Sequence, residues 1–253
     1  IKSNIMEFNR RTTMKSLAVG TLTGLAAEGD TKAANIIELE RIERWGKTHD
    51  RVWLGGEFWS NPMEDWRIQD GWAQCQTTGE HRSVHSVTRQ LTDTKSSFAM
   101  SVELSRSAKI NQDGGAGFKL GVKSDLNEVR SNVFARSGII AGIIKDQLVI
   151  AGKQAKLNNV PSNGHVILNI VGSRKGANYV LQLSARDPAK DSGLGTLRVE
   201  VPAESCAGNI ALVSQYTGPR QRYNIPGYKF RNWLVGGEAI AHSPEQRFGP
   251  ILW

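Results

Sequence analysis

Carboxylates are the first side chains to test for chemistry on this chain. Retaining glycoside hydrolysis needs two of them roughly 5 Å apart, which on a strand means a Glu-x-Asp-like pattern with both acids on one face. No predicted strand carries that spacing. Glu57, Glu64 and Asp65 fall in turns, and Glu103 and Glu200 each stand alone on an outward strand face. The histidines are His49, His81, His85, His165 and His242. His81 and His85 would share a face of a strand, but at the rise of a strand they lie roughly 13 Å apart, too far for one metal ion. Ser83, Ser86 and Ser97 lack the flanking glycines of a nucleophile elbow. The glycines from Gly114 to Gly117 are not followed by a helix that would cradle a phosphate. Asp113, in a glycine-rich turn, is a calcium candidate beside its plainer role as a turn aspartate. No catalytic residue and no other cofactor site emerges, so the segment reads as a non-enzyme.

Aromatic residues give a better lead. Sugar rings stack their C–H faces on indole or phenol rings while polar side chains take the hydroxyls. Trp59, Trp66, Trp72, Tyr216, Tyr223 and Trp233 are candidates, with core packing as the competing role of each. Tyr216 and Tyr223 flank Arg220 and Arg222 around a long polar loop, Thr217 to Pro226. Long loops at sandwich ends often carry binding. His85 and Arg89 share a strand face and would line a concave polar surface.

The elements that must position these residues follow a period of two. Phe98, Met100, Val102 and Leu104 point one way, and Ala99, Ser101 and Glu103 the other. Leu197, Val199 and Val201 alternate likewise with Thr196, Arg198 and Glu200. Such alternation means strands with one buried face. Trp66–Gln69, Asp70-Gly71 and Trp72–Gln76 form a hairpin signal. Further strands are expected at Val52–Leu54, Val84–Leu91, Gly117–Val122, Val129–Ala135, Ile139–Ile144, Leu148–Ala151 and His165–Val171. Others follow at Tyr179–Ala185, Asn209–Ser214 and Tyr228–Val235. Breaks every eight to twelve or so residues, with 26 glycines in the 253-residue chain, predict an all-β, two-sheet antiparallel jelly-roll sandwich.

The formal charge of +8 comes from Lys and Arg scattered singly, without the clustered basic stripe of a nucleic-acid binder. Cys75 and Cys206 are the two cysteines; a disulfide and a pair of buried free thiols both remain open. Met6 is a candidate start residue, since Ile1 is not one. Residues 1–34 carry Arg10-Arg11 ahead of an uncharged, small-residue stretch, Ser16–Ala27, which reads as a twin-arginine-like export signal. That stretch is shorter than the roughly 20 residues of a membrane span. Residues 35–50 read as a linker with a short helix over Asn35–Arg44, in which Glu38, Glu40 and Glu43 form a solvated face. Residues 51–238 form the sandwich, and 239–253 begin a connection to a further domain.

Several stretches resemble the N-terminal region of bacterial PhoD-like alkaline phosphatases. They are LGGEFWSNPMEDWRIQDGWAQC (Leu54–Cys75), RSVHSVTRQL (Arg82–Leu91), GAGFKLGV (Gly115–Val122), GNIALVSQ (Gly208–Gln215), YKFRNWLV (Tyr228–Val235) and RFGPILW (Arg247–Trp253). The resemblance implies a concanavalin A-like (laminin G-like) sandwich, periplasmic or extracellular. It also implies a metallophosphatase domain further along, whose metal ligands have no positions here. The function expected is a glycan- or surface-binding accessory module, partnered by a polysaccharide or cell-surface glycan and by that downstream enzyme. The alternatives are a sugar-processing hydrolase on the same sandwich and a structural domain packed on the enzyme.

Overall fold

The alternation along Phe98–Arg106 is obeyed: Phe98, Met100, Val102 and Leu104 sit in the core, while Ser101, Glu103 and Ser105 occupy the opposite face. A computed structural model describes residues 37–92, 96–106, 114–124, 132–216, 222–223 and 227–242. Among them the elements run in order β1 (Glu40–Arg41), β2 (Phe58–Asn61), β3 (Trp66–Gln69), β4 (Trp72–Cys75), β5 (Thr77–Thr78), β6 (Arg82–Leu91), β7 (Phe98–Arg106), β8 (Gly114–Val122), α1 (Asn132–Arg136), β9 (Ile139–Ile144), β10 (Gln147–Ile150), β11 (Lys153–Lys156), β12 (Val166–Lys175), β13 (Asn178–Asp187), β14 (Ser192–Pro202), β15 (Gly208–Tyr216), β16 (Arg222–Tyr223), β17 (Tyr228–Gly236) and β18 (Ile240–His242).

Two antiparallel sheets stack. The first has the order β14-β13-β12-β7-β17-β4-β3, with β1 added on β17. The second has the order β11-β10-β9-β8-β15-β6-β18, with β2 added on β6. Between them Phe98, Leu168, Leu181 and Phe230 from the first meet Phe118, Ile143, Leu148 and Leu212 from the second. Side chains of the two inner faces fill the layer between stacked sheets, as a sandwich requires. The Asp70-Gly71 turn joins β3 to β4 with φ of 51° and 75°, the left-handed pair that a tight hairpin needs.

Five sequence-based expectations are corrected. No helix forms over 37–44; Glu40 and Arg41 pair with Val235 and Leu234, because β17 would otherwise leave an open edge there. Glu43 is not solvated but buried, accepting from the Trp45 and Asn232 amides at 2.5 and 3.0 Å; burial raises its pKa against those bonds. Val52–Leu54 is no strand: only Arg51 bridges to Ile68, and Val52 and Trp53 are 73% and 50% exposed. Residues 132–136 are helical, and α1 lies over the outer face of the second sheet with Phe134 and Ala135 buried. The tail expected to lead away also contributes β18, paired with β6.

Cys75, on β4, and Cys206 are both buried and free. Burial pushes each thiol up to about 11. Among the described residues no helix is long and apolar enough to cross a membrane.

Candidate functional site

An open cleft of about 640 Å³ lies along the segment joining β1 to β2. Trp45 and Phe58 line it, and both are buried: their rings lie 5.2 Å apart, and Phe58 in turn stacks on Trp233 of the core at 5.7 Å. The Trp45 indole donates to the Leu54 carbonyl at 3.0 Å, which fixes the loop across its span. Gly55 sits at φ 122°, a conformation side chains rarely adopt, and a Cβ there would come within 3.0 Å of Glu57 Oε2. Glycine therefore turns the chain between the exposed Trp53 and the buried Phe58. Trp53 keeps half its surface in solvent on the cleft wall, and the Arg51 guanidinium rests 4.9 Å from its ring centroid. Arg44, Lys47 and Thr48 complete the polar lining with Glu57.

His85 occupies a different environment. It faces the outer side of the second sheet, and its ring lies 5.3 Å from that of Phe134 on α1. Its Nδ1 is 2.9 Å from Asn209 Oδ1, and its Nε2 is 2.8 Å from Ser83 Oγ. An amide oxygen only accepts, so Nδ1 carries the proton and Nε2 accepts from the serine hydroxyl. The connectivity is that of a Ser–His–Asn relay. However, Ser83 and His85 are 0% exposed and Asn209 3%, so no reactant reaches the hydroxyl in this arrangement. Burial, the largest effect, pushes the His85 pKa down to about 4, with the Lys119 charge acting in the same direction against the Asn209 bond. Lys119, 1% exposed, donates to the Ala135 carbonyl, and burial pushes it down to about 8. The group is a sealed polar layer beneath α1.

Arg89 does not share a surface with His85, because the ladder to β15 slips between them: Asn209 pairs with Gln90 and Ala211 with His85. Arg89 instead grips Glu40 of β1 at 2.8 Å and His242 of β18 at 2.8 Å. Tyr216 ends β15, and Arg222 and Tyr223 form β16, paired with β5. Arg220 and Asp113 lie outside the described residues, as do 217–221 and 224–226 of the polar loop. Trp66 and Trp233 are 0% exposed core residues. Trp59 packs beside Val87, Val122 and Phe134. Among the described residues no cluster of three or more His, Cys, Asp or Glu is arranged for a metal ion.

Glu103 does not stand alone on its outward face. Its oxygens accept from Arg231 at 2.5 Å, His165 Nε2 at 2.6 Å and Asn232 Nδ2 at 2.7 Å. A bulge in β17 opposite β7 places Asn232 at φ 54° and aims its amide at the carboxylate. Trp72 lies under Arg231 and Lys229, 4.1 and 4.6 Å from its centroid. Burial opposes the charge on Glu103, but the Arg231, His165 and Asn232 bonds outweigh it and hold the pKa below the usual value. Both oxygens are thus used within the fold, which marks this cluster as support for the sheet. Glu103→Gln is expected to cost about 1–2 kcal/mol at pH 7, small because Arg231 is partly in water. Urea unfolding measures it; an unchanged midpoint would show the cluster to be idle.

The sequence did not single out Trp53 as a platform. It sits inside an apolar Val52-Trp53-Leu54 run that imitates a strand, and only the following Gly55-Gly56 hints that the run is a loop.

No family model and no curated protein matches the chain. Solved structures do. The carbohydrate recognition domain of Emp46p, in a potassium-bound form, aligns at a TM-score of 0.50 and 10% identity over 78% of this chain and 95% of that one. Arcelin-5, a lectin-like defence protein from Phaseolus vulgaris, aligns at 0.47 and 13% identity over 72% and 91%. A legume lectin-like domain from Entamoeba histolytica aligns at 0.46 and 14% identity over 72% and 89%. The fold is a concanavalin A-like, legume-lectin-like sandwich.

Proposed function

We propose that this sandwich is a non-catalytic glycan-binding module that takes its ligand in the Trp53 cleft. The observation carrying the reading is a half-exposed indole on the wall of an open cleft whose floor is anchored to the core. A half-exposed indole on a cleft wall offers an apolar face on which a sugar ring can stack. Arg51, Arg44, Thr48 and Glu57 supply donors and acceptors around it, enough to orient hydroxyls. The lectin-like sandwich is compatible with that role, since such scaffolds need no catalytic group.

The resemblance of Leu54–Cys75 and the later stretches to PhoD-like phosphatases supports a finer version. In it the module, which takes in β1 and β18 and so reaches beyond the 51–238 expected from the sequence to about residues 37–242, is exported by the segment 1–34 to the periplasm or exterior. It then holds a fused phosphatase or phosphodiesterase near a cell-surface polymer by raising local concentration. Calcium at Asp113 belongs to the same proposal.

A glycan-array screen of the 253-residue chain, beside Trp53→Ala, tests the core claim. The parent chain is expected to retain at least one polysaccharide. Trp53→Ala is expected to weaken that binding by about tenfold or more, with an unchanged circular dichroism spectrum because the side chain is half in solvent. Folded parent protein that ignores every plant, algal and bacterial polysaccharide would overturn the reading.

A further inference from the structure

The cleft carries a bias of charge that neutral sugars do not need. Three cations, Arg44, Lys47 and Arg51, line it against one carboxylate, Glu57. None of the three cations forms an ion pair with a described acidic residue. Arg51 shows the imbalance most directly. Its Nε is buried and has no hydrogen-bond partner among the described residues, while its guanidinium carbon lies 4.9 Å from the Trp53 centroid. Arg51 as a whole is only part-buried and lines the cleft, so its charge is open to an anionic ligand there. The stacked, planar guanidinium is already restrained, so little side-chain entropy remains to be lost when it is engaged.

We infer that the ligand class is an acidic polysaccharide whose uronate carboxylates are taken by Arg51 while a neighbouring ring stacks on Trp53; this rests on the glycan-binding reading above. A carboxylate matches the two-pronged edge of a guanidinium in shape and charge. Arg44 and Lys47 add attraction along the polymer without fixing its register. Glu57 gives the opposite sign at one place only, and so sets a polarity for the chain lying in the cleft.

Galacturonate oligosaccharides and their methyl esters make a matched pair, because the ester removes the charge and keeps the ring. Isothermal titration of the 253-residue chain is expected to give at least about tenfold tighter binding to the free acid, with the difference shrinking as salt is raised. Arg51→Gln is expected to erase most of that preference while binding to the ester survives. Lys190→Gln, at an exposed lysine outside the cleft, controls for the overall positive charge. Equal binding of acid and ester, both lost in Trp53→Ala, would overturn the charge inference and leave the glycan reading standing. An acid preference that Lys190→Gln reduces as much as Arg51→Gln would assign it to bulk charge and overturn the inference. Failure to bind either sugar, with no neutral glycan bound on an array, would remove the reading beneath it.

Discussion

Trp233→Ala is expected to lower the unfolding free energy by roughly 3–5 kcal/mol, the range for emptying an aromatic site in a core. Trp233 is 0% exposed and stacks on Phe58, which packs against Trp45. The three rings form a column from the core to the floor of the Trp53 cleft. Removing the innermost ring leaves a void where β17 bulges, and the cleft floor loses its backing. Sugar affinity should therefore fall together with stability, although Trp233 touches no ligand. Trp233→Phe separates volume from hydrogen bonding. The indole nitrogen has no partner among the described residues, so losing it relieves a buried, unmatched donor and offsets part of the lost area. Phenylalanine is expected to retain most of the stability that alanine forfeits, as read by urea unfolding. Equal losses for the two variants would show that the nitrogen contributes after all.

Acidification from pH 6.5 to 4 is expected to remove on the order of 3 kcal/mol through His85 alone, since burial holds its folded pKa at about 4. The folded pKa, about 4, lies below the unfolded value of 6.5, so in that window the unfolded chain binds the extra proton. Stability contributed by the neutral imidazole is complete above pH 6.5 and is lost as pH falls toward 4. His81, also lowered chiefly by burial, acts with the same sign, whereas Glu43, raised by burial, acts against it. Glu103, held below its ordinary value of 4.5, acts with the same sign as His85: its contribution begins to fall as pH drops below about 4.5 and is gone once the folded carboxyl is protonated. Comparing the parent with His85→Gln isolates the one contribution. The variant starts less stable at pH 7, and its midpoint should change much less between pH 6.5 and 4. A parent and variant with the same slope would show that protons reach the ring without unfolding the layer over it.

The strands with strict alternation were readable before any coordinates. β7 and β14 fall where Phe98–Leu104 and Thr196–Val201 place them, and the Asp70-Gly71 turn marks its hairpin to the residue. In β14 one face is the more buried and the other wet, and in β7 one face is apolar and the other carries the buried polar Ser101, Glu103 and Ser105, so the contrast of the two faces writes the period into the residue types. β11, Lys153–Lys156, leaves no such trace, because an edge strand is selected to be polar and resist further pairing. Asn132–Arg136 misleads for the opposite reason: its apolar residues serve a helix that caps a sheet, and short apolar runs fit either shape. Much less of the site was readable. His85 and Arg89 are separated by a register slip that no spacing rule anticipates. Glu103 gathers partners from β17 and from His165, distant in sequence, and a solitary acid on an alternating strand gives no sign of them. Trp53 resembles a core tryptophan until the loop carrying it is seen to leave the sheet.

Arg89 has a consequence beyond its own bonds. It clasps Glu40, where the backbone joins the sandwich, and His242, where the last described strand closes it. Arrival and departure therefore share one corner, as in domains that accept circular permutation or splice into the loop of a host protein.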